Sequence, residues 1–390
     1  MLSRSVLVLA LLTPSFAADT PPGLTVHEWG TFTSVAAEDG SAVRWVSLTP
    51  PADLPCFVYH LSAVCIKCGP NRVRMETPVL YFYSPTRLTA SVHVDLPSGL
   101  ITEWYPRATI KSALQPGYTY GGDGNIEWNH VEVLPDTSPA LPDSAGGSHY
   151  YAARKTDSAP LQVGDEAEKL LFYRGIADFD VPVQARFLPD GKLELRNTAH
   201  DPIEFAILFE SRQGQVGYRL IQNLRGKQLL DTPDLTATVE SVHQELAQAL
   251  VSAGLYPKEA AAMIETWRDS WFEDGMRIFY IVPRQTVDAV LPIKISPQPE
   301  ILDRVFVGRA ELLSPAMRQA IETALASGDT DTLARCKRFL RPWMEQLALQ
   351  PGQIRISLAT ANFLAEAEQP PSAAPASCSA APSSLPTEQR

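Results

Sequence analysis

The chain has 390 residues, 45% of them apolar and 20% charged, enough to bury a large core and too apolar for a disordered polymer. Its net charge of −11, from 33 basic and 44 acidic residues, argues against a nucleic-acid groove or a polybasic membrane patch, which need clustered positive charge. The 33 prolines favour strands, turns and edges over long helices.

Residues 1–17 read as a secretory signal peptide: Arg4 is the one charge, Val6–Leu12 is a short apolar run, and Ser15-Phe16-Ala17 has the small-x-small form of a cleavage site. No later stretch approaches the length of a membrane span. The expected location is therefore periplasmic or secreted. Export places the cysteines in an oxidising compartment. Cys56, Cys65 and Cys68 lie close together, whereas Cys336 and Cys378 are distant. The first reading is a structural disulfide, Cys56–Cys68 or Cys56–Cys65, closing a loop of about a dozen residues. Zinc held by Cys56, His60, Cys65 and Cys68 is chemically acceptable but not favoured, because the spacing matches no familiar ribbon or finger. A Cys65–Cys68 redox pair is weakened by Gly69-Pro70, which reads as a turn.

Thr25–Val35, Val43–Leu48, Pro78–Tyr83, Ser91–Leu96, Ile101–Tyr105 and Ile126–Val133 are rich in aromatic and β-branched residues and are predicted as strands. The period-2 pattern is clearest from Val181 to Glu210, where Pro189-Asp190-Gly191 and His200-Asp201-Pro202 separate three runs; they predict three consecutive antiparallel strands of a β-sandwich. From Thr236 the period becomes 3.6. Val239, Val242, Leu246, Ala249 and Leu250 share one face, and Gly254 is placed to end that helix. Pro257 and Glu259 open a second helix with Met263, Ile264, Trp267 and Trp271 on its apolar face. Strands resume at Arg277–Val282, Val290–Ile295 and Arg304–Leu312, and Ser314-Pro315 starts further helices, including Thr330–Leu340 and Pro342–Leu349.

The predicted fold is mainly β with added α: antiparallel, sandwich-like sheets, an inserted helical hairpin and a helical C-terminal portion. By region, 18–235 is β-rich and can hold two sandwich-like units meeting near residue 160. Residues 236–365 carry the hairpin, returning strands and C-terminal helices. Residues 366–390 form an Ala/Pro/Ser-rich tail with too few large apolar side chains to order itself.

Three segments carry a resemblance: His27-Glu28-Trp29-Gly30-Thr31-Phe32-Thr33-Ser34 with the preceding Val26, the run from Arg74 to Tyr83, and Thr266-Trp267-Arg268-Asp269-Ser270-Trp271-Phe272. They resemble an uncharacterised family of exported bacterial proteins, over most of the chain apart from the tail. The resemblance implies export and a β-rich body and brings no catalytic or binding residues with it.

The common catalytic signatures are missing. His27-Glu28 begins like a zincin helix, but Thr31 stands where the second histidine is needed. There is no GxSxG elbow, Walker loop or GxGxxG run opening a helix. Five of the seven histidines (27, 60, 93, 130 and 149) precede residue 150, which raises a zinc- or copper-binding alternative led by His27 and His130. Against it, His93 alternates with Val92 and Val94 and reads as solvent-facing, and His27 shares a strand face with Trp29 and reads as a packed, hydrogen-bonded histidine. Glu28, Glu76, Glu103 and Glu127 lie in aromatic-rich strands. A hydrolase acting on a cell-wall or extracellular polymer would use His27, Glu28 and Glu103, with Glu28 or Glu103 as general acid or base. The leading expectation is a binding or assembly role at the cell envelope, through exposed aromatic strand faces formed by Trp29, Trp45, Trp104, Tyr105, Trp128, Tyr150 and Tyr151, with a polysaccharide or envelope protein as partner.

Overall fold

The computed structural model describes residues 21–46, 54–61, 70–111, 124–143, 148–335, 339–340 and 342–344. The signal-like segment and the Ala/Pro/Ser-rich tail lie outside them. The architecture is mainly β, with several antiparallel sheets and a few helices.

A nine-stranded sheet forms the middle layer. In spatial order its strands are Gln215–Leu224, Ile203–Arg212, Gly275–Ile281, Ile301–Leu312, Thr25–Val35, Val73–Tyr83, Leu171–Ala177, Gly99–Tyr105 and Tyr59–His60. Strands from both sides of residue 160, and from both sides of the helical hairpin, share this sheet. Thr25–Val35 occupies its centre and is buried at all 11 positions. That burial explains its sequence: a strand covered on both faces favours apolar or partnered side chains, the Thr31 hydroxyl being a buried exception without a partner among the described residues. It pairs antiparallel with Val73–Tyr83 and parallel with Ile301–Leu312, which sets Glu28 opposite Arg304 and His27 opposite Asp303. A register shift at Trp29/Thr31 accompanies Thr77, whose φ is 50°.

One face of this sheet is covered by two smaller sheets. Glu166–Glu168, Leu161–Val163, Gly124–Val133, Leu88–Leu96 and Ile293–Ser296 make one, with Thr109–Lys111 also paired to Gly124–Val133. Val183–Phe187, Leu193–Asn197 and Lys227–Leu230 make the other. Val26, Phe32, Leu80, Tyr280 and Phe306 pack there against Val92, Val94, Trp128, Val131, Leu193 and Leu195. The alternating run after Val181 therefore divides. Its first two strands form a hairpin in the small sheet, as expected, but its third, Ile203–Arg212, enters the large sheet between Gln215–Leu224 and Gly275–Ile281. Period fixes which side chains point one way; it does not choose the sheet.

The opposite face carries helices α1 (Val239–Ser252) and α2 (Pro257–Trp271) with a 3-10 turn at His149–Arg154. Val242, Leu246, Leu250, Met263, Trp267 and Trp271 pack on Trp29, Val79, Tyr81, Phe209 and Phe279. The Thr238 hydroxyl accepts from the Ser241 amide at 3.2 Å to start α1. Gly254, at φ 122°, follows its end. Pro257 opens α2 at a position where no amide hydrogen is needed. At the other end of α2 Arg277 donates to the carbonyls of Trp271 (2.5 Å) and Glu273 (2.9 Å) while paired with Glu311, so a buried guanidinium caps the helix. A short helix, α3 (Arg284–Val290), ends on Val290, where the sequence predicts the start of a strand, and that strand begins only at Ile293. Helices α4 (Pro315–Ser327) and α5 (Thr330–Arg335) pack with Trp45, Phe339 and Trp343 around Val35. Ser314 caps α4 as its sequence predicts, accepting from the Met317 amide at 3.2 Å.

Candidate functional site

Alternation along Thr25–Val35 sends His27 toward the helices and Glu28 toward the small sheets. His27 is 1% exposed. Its Nδ1 lies 2.8 Å from Glu259 Oε2 of α2, and its Nε2 lies 3.6 Å from Asp303 Oδ2. A carboxylate offers only lone pairs, so Nδ1 carries the proton in this bond. Tyr256 and Tyr83 flank the imidazole, with ring centroids 4.5 and 5.5 Å away.

Glu259 is fully buried and accepts three hydrogen bonds: from His27, from the Tyr256 amide at 2.7 Å and from the Tyr83 hydroxyl at 2.8 Å. The amide bond closes the first turn of α2, whose N-terminal end favours a negative charge. Burial, and then the Glu259 charge, push the Tyr83 phenol far above its ordinary value, so it remains a neutral donor.

A cleft of about 330 Å³ opens beside this cluster, within the size range of small-ligand sites. Thr25, Tyr83, Ser84, Asp157, Ser158 and Tyr256 line it together with Gly23, Pro85, Pro135 and Ala159. Tyr256 is 43% exposed and meets Tyr83 edge to face, with centroids 4.9 Å apart at 81°. Asp157 pairs across 2.5 Å with Lys258, and both are largely exposed.

The residues expected to form a hydrolytic trio do not converge. Glu28, fully buried on the other face, accepts from Arg304 Nε at 2.5 Å and from the Tyr173 hydroxyl, and Arg304 also reaches Asp288 at 2.8 Å. Glu103 is buried three strands away, roughly 14 Å by strand spacing, and accepts from the Thr102 hydroxyl at 2.6 Å. The physical reason is the two-residue period: adjacent strand residues cannot serve one pocket.

The histidines are also dispersed. His130 is exposed on the six-stranded sheet beside Glu132, while His27 lies beneath α2. His93 bonds Asp95 at 2.9 Å, and His149 lies 2.9 Å from Asp269. Among the described residues no group of three or more His, Cys, Asp or Glu is placed to hold a metal ion. Cys56 is disulfide-bonded; Cys65 and Cys68 lie outside the described residues, so the Cys56–Cys68 pairing stays an expectation.

The aromatic strand faces are not exposed. Trp29, Trp45, Trp104, Tyr105, Trp128 and Tyr150 are at most 4% accessible: both faces of the large sheet are covered, Trp128 and Tyr150 belong to the layers that cover it, and Trp45 packs with Phe339 and Trp343. Tyr151 is half-buried against Phe57, Tyr150 and Arg154. The accessible ring at the cleft is Tyr256, which precedes α2 and lies on no strand. The site partners missed in the sequence are Glu259, Tyr83, Tyr256, Asp157 and Asp303. Pro257-Lys258-Glu259 signals a helix start, and nothing local links it to His27, 232 positions away.

No family model and no curated protein matches the chain. Among solved structures, the yeast delta-COP-I mu-homology domain is similar over 75% of this chain and 98% of its own, at 10% identity and TM-score 0.28. The same domain complexed with the Dsl1 WxWxV peptide covers the same shares at 8% identity and TM-score 0.26. Likenesses this weak carry no argument about this chain. Among the described residues no helix is long and apolar enough to cross a membrane.

Proposed function

We propose that the protein is an exported binding protein of the cell envelope, and that the cleft beside the N-terminus of α2 takes a saccharide-sized, hydroxyl-bearing group of an envelope polysaccharide. The observation that carries this reading is the exposed Tyr256 ring standing over a polar cleft whose wall is fixed from behind by the buried His27–Glu259–Tyr83 hydrogen bonds. An aromatic face with a few fixed polar groups is the usual chemistry of a small polar-ligand site. Export is supported by the apolar leader at residues 1–17.

Binding is favoured over catalysis because the ionisable side chains behind the cleft are committed to one another. His27 is covered, Glu259 has three donors, and Tyr83 keeps its proton. The test is calorimetric titration of the full chain with a panel of soluble envelope-type oligosaccharides, neutral and amino-bearing. Saturable binding is expected, weakened about tenfold by Tyr256→Ala, a loss of about 1.4 kcal/mol. No binding to any member of the panel overturns the proposal.

A further inference from the structure

The protons of the cleft hydroxyls are already assigned. Tyr83 donates to Glu259 Oε1 at 2.8 Å, Ser84 to the Thr86 carbonyl at 2.7 Å, and Ser158 to the Lys169 carbonyl at 3.0 Å. A hydroxyl has one proton, so these three have none to give a ligand and keep only what lone pairs remain beside the Thr86 amide, 3.3 Å from Ser84 Oγ, and the Thr156 hydroxyl, 2.9 Å from Ser158 Oγ. Asp157 adds a carboxylate, which is acceptor-only as well. Of the hydroxyl-bearing side chains lining the cleft beside these three, Thr25 and the rim residue Tyr256 keep a proton to give. Tyr83 and Tyr256 meet edge to face, so the pair has an electron-rich ring face beside the carboxylate, of the kind that attracts a cation. The whole chain is acidic, at −11. Two ammonium groups stand against Asp157: Lys169, which is held by the Thr156 carbonyl at 2.5 Å, and Lys258, whose pair with Asp157 is 63% and 71% exposed, the kind of ion pair that contributes little and yields readily.

We infer that this acceptor-lined cleft selects a protonated amino sugar over the neutral sugar of the same shape, the ammonium group seated between Asp157 and the Tyr83–Tyr256 pair. The inference rests on the proposed saccharide site and names the chemical class of its ligand. An ammonium group supplies three donors to a wall that has mainly acceptors, and a plain hydroxyl supplies one. Lys258 already brings an ammonium to the same carboxylate, so it competes with the ligand rather than assisting it.

The test compares glucosamine, glucose, N-acetylglucosamine and lysine amide by calorimetry on the full chain at about pH 6, below the ordinary range of such amines. Glucosamine is expected to bind about tenfold more tightly than glucose, about 1.4 kcal/mol, and acetylation should remove the difference because it removes the charge. Asp157→Asn should abolish the preference with an unchanged melting temperature, since the side chain is exposed. Lys258→Met should strengthen glucosamine binding more than glucose binding, widening the ratio between them. Equal affinity for glucose and glucosamine overturns the inference and leaves the saccharide reading standing. Lysine amide binding as tightly as glucosamine overturns it in favour of a peptide amine. No binding of any probe, together with failure of the oligosaccharide panel, removes both.

Discussion

His27 and Glu28 are neighbours in the chain and face opposite sides of one sheet. His27 reaches Glu259 on α2 at 2.8 Å, and Glu28 reaches Arg304 on the adjacent parallel strand at 2.5 Å. One residue helps fix the helical layer and the other sits beneath the small sheets, so the two should respond differently to substitution.

His27→Phe keeps the packed ring and removes one of three donors from a buried carboxylate. An unsatisfied buried group costs about 1–3 kcal/mol. We expect a lower unfolding free energy in urea of that size, together with weaker saccharide binding, because Glu259 would hold Tyr83 less firmly. A fully stable variant with wild-type affinity would remove His27 from any role in shaping the cleft.

Glu28→Gln leaves the buried Arg304 guanidinium without its main counter-charge, with only the half-exposed Asp288 remaining as an ionic partner. Breaking a buried pair costs about 3–5 kcal/mol, whereas replacing both members with apolar residues is often close to neutral. The double variant Glu28→Leu, Arg304→Met should therefore be more stable than Glu28→Gln alone. Denaturant titrations of the three proteins check the ordering, and neither variant should alter the cleft on the far face.

His243 packs on Phe272, ring centroids 4.4 Å apart and tilted by 57°, and its buried Nε2 has no hydrogen-bond partner among the described residues. Burial pulls its pKa below the ordinary 6.5, opposed by Glu240 and Glu265 and assisted by Arg268. The sign follows from proton binding: as pH falls below 6.5 the unfolded chain takes up a proton that the native fold resists, so stability drops. Above 6.5 the group contributes nothing to the pH dependence. His243→Gln should flatten the decline below 6.5 relative to wild type, measured by melting temperature against pH; identical profiles would contradict this.

Gly308 lies beneath the Tyr280 ring, where an added Cβ would sit 2.0 Å from the nearest ring atom. Tyr280 is buried at 1% exposure and cannot swing clear. Gly308→Ala should cost about 1–3 kcal/mol by overpacking. Pairing with Tyr280→Phe, which keeps the ring, should recover nothing. Tyr280→Leu in the same background should recover part, and unfolding free energies of the set decide between them.

Local pattern was enough to locate most elements. The bounds of Thr25–Val35, the start of α1 near Val239, Pro257 opening α2, Gly254 between them and the Ser314 cap all follow from side-chain period and backbone chemistry acting within a few residues. The same pattern showed that His27 shares a face with Trp29 and is packed and hydrogen-bonded.

What tertiary structure decided is what lies across from each face. Thr25–Val35 pairs in parallel with a strand 276 positions away, Ile203–Arg212 leaves its hairpin for another sheet, and the aromatic strand faces are covered by helices and small sheets. The cleft likewise combines residues from Gly23 to Tyr256. Periodicity is a property of a few neighbouring residues, and it states only that a face is apolar. Which distant surface covers that face depends on how the whole chain closes, and there the separation of His27 from Glu28, and its meeting with Glu259, was settled.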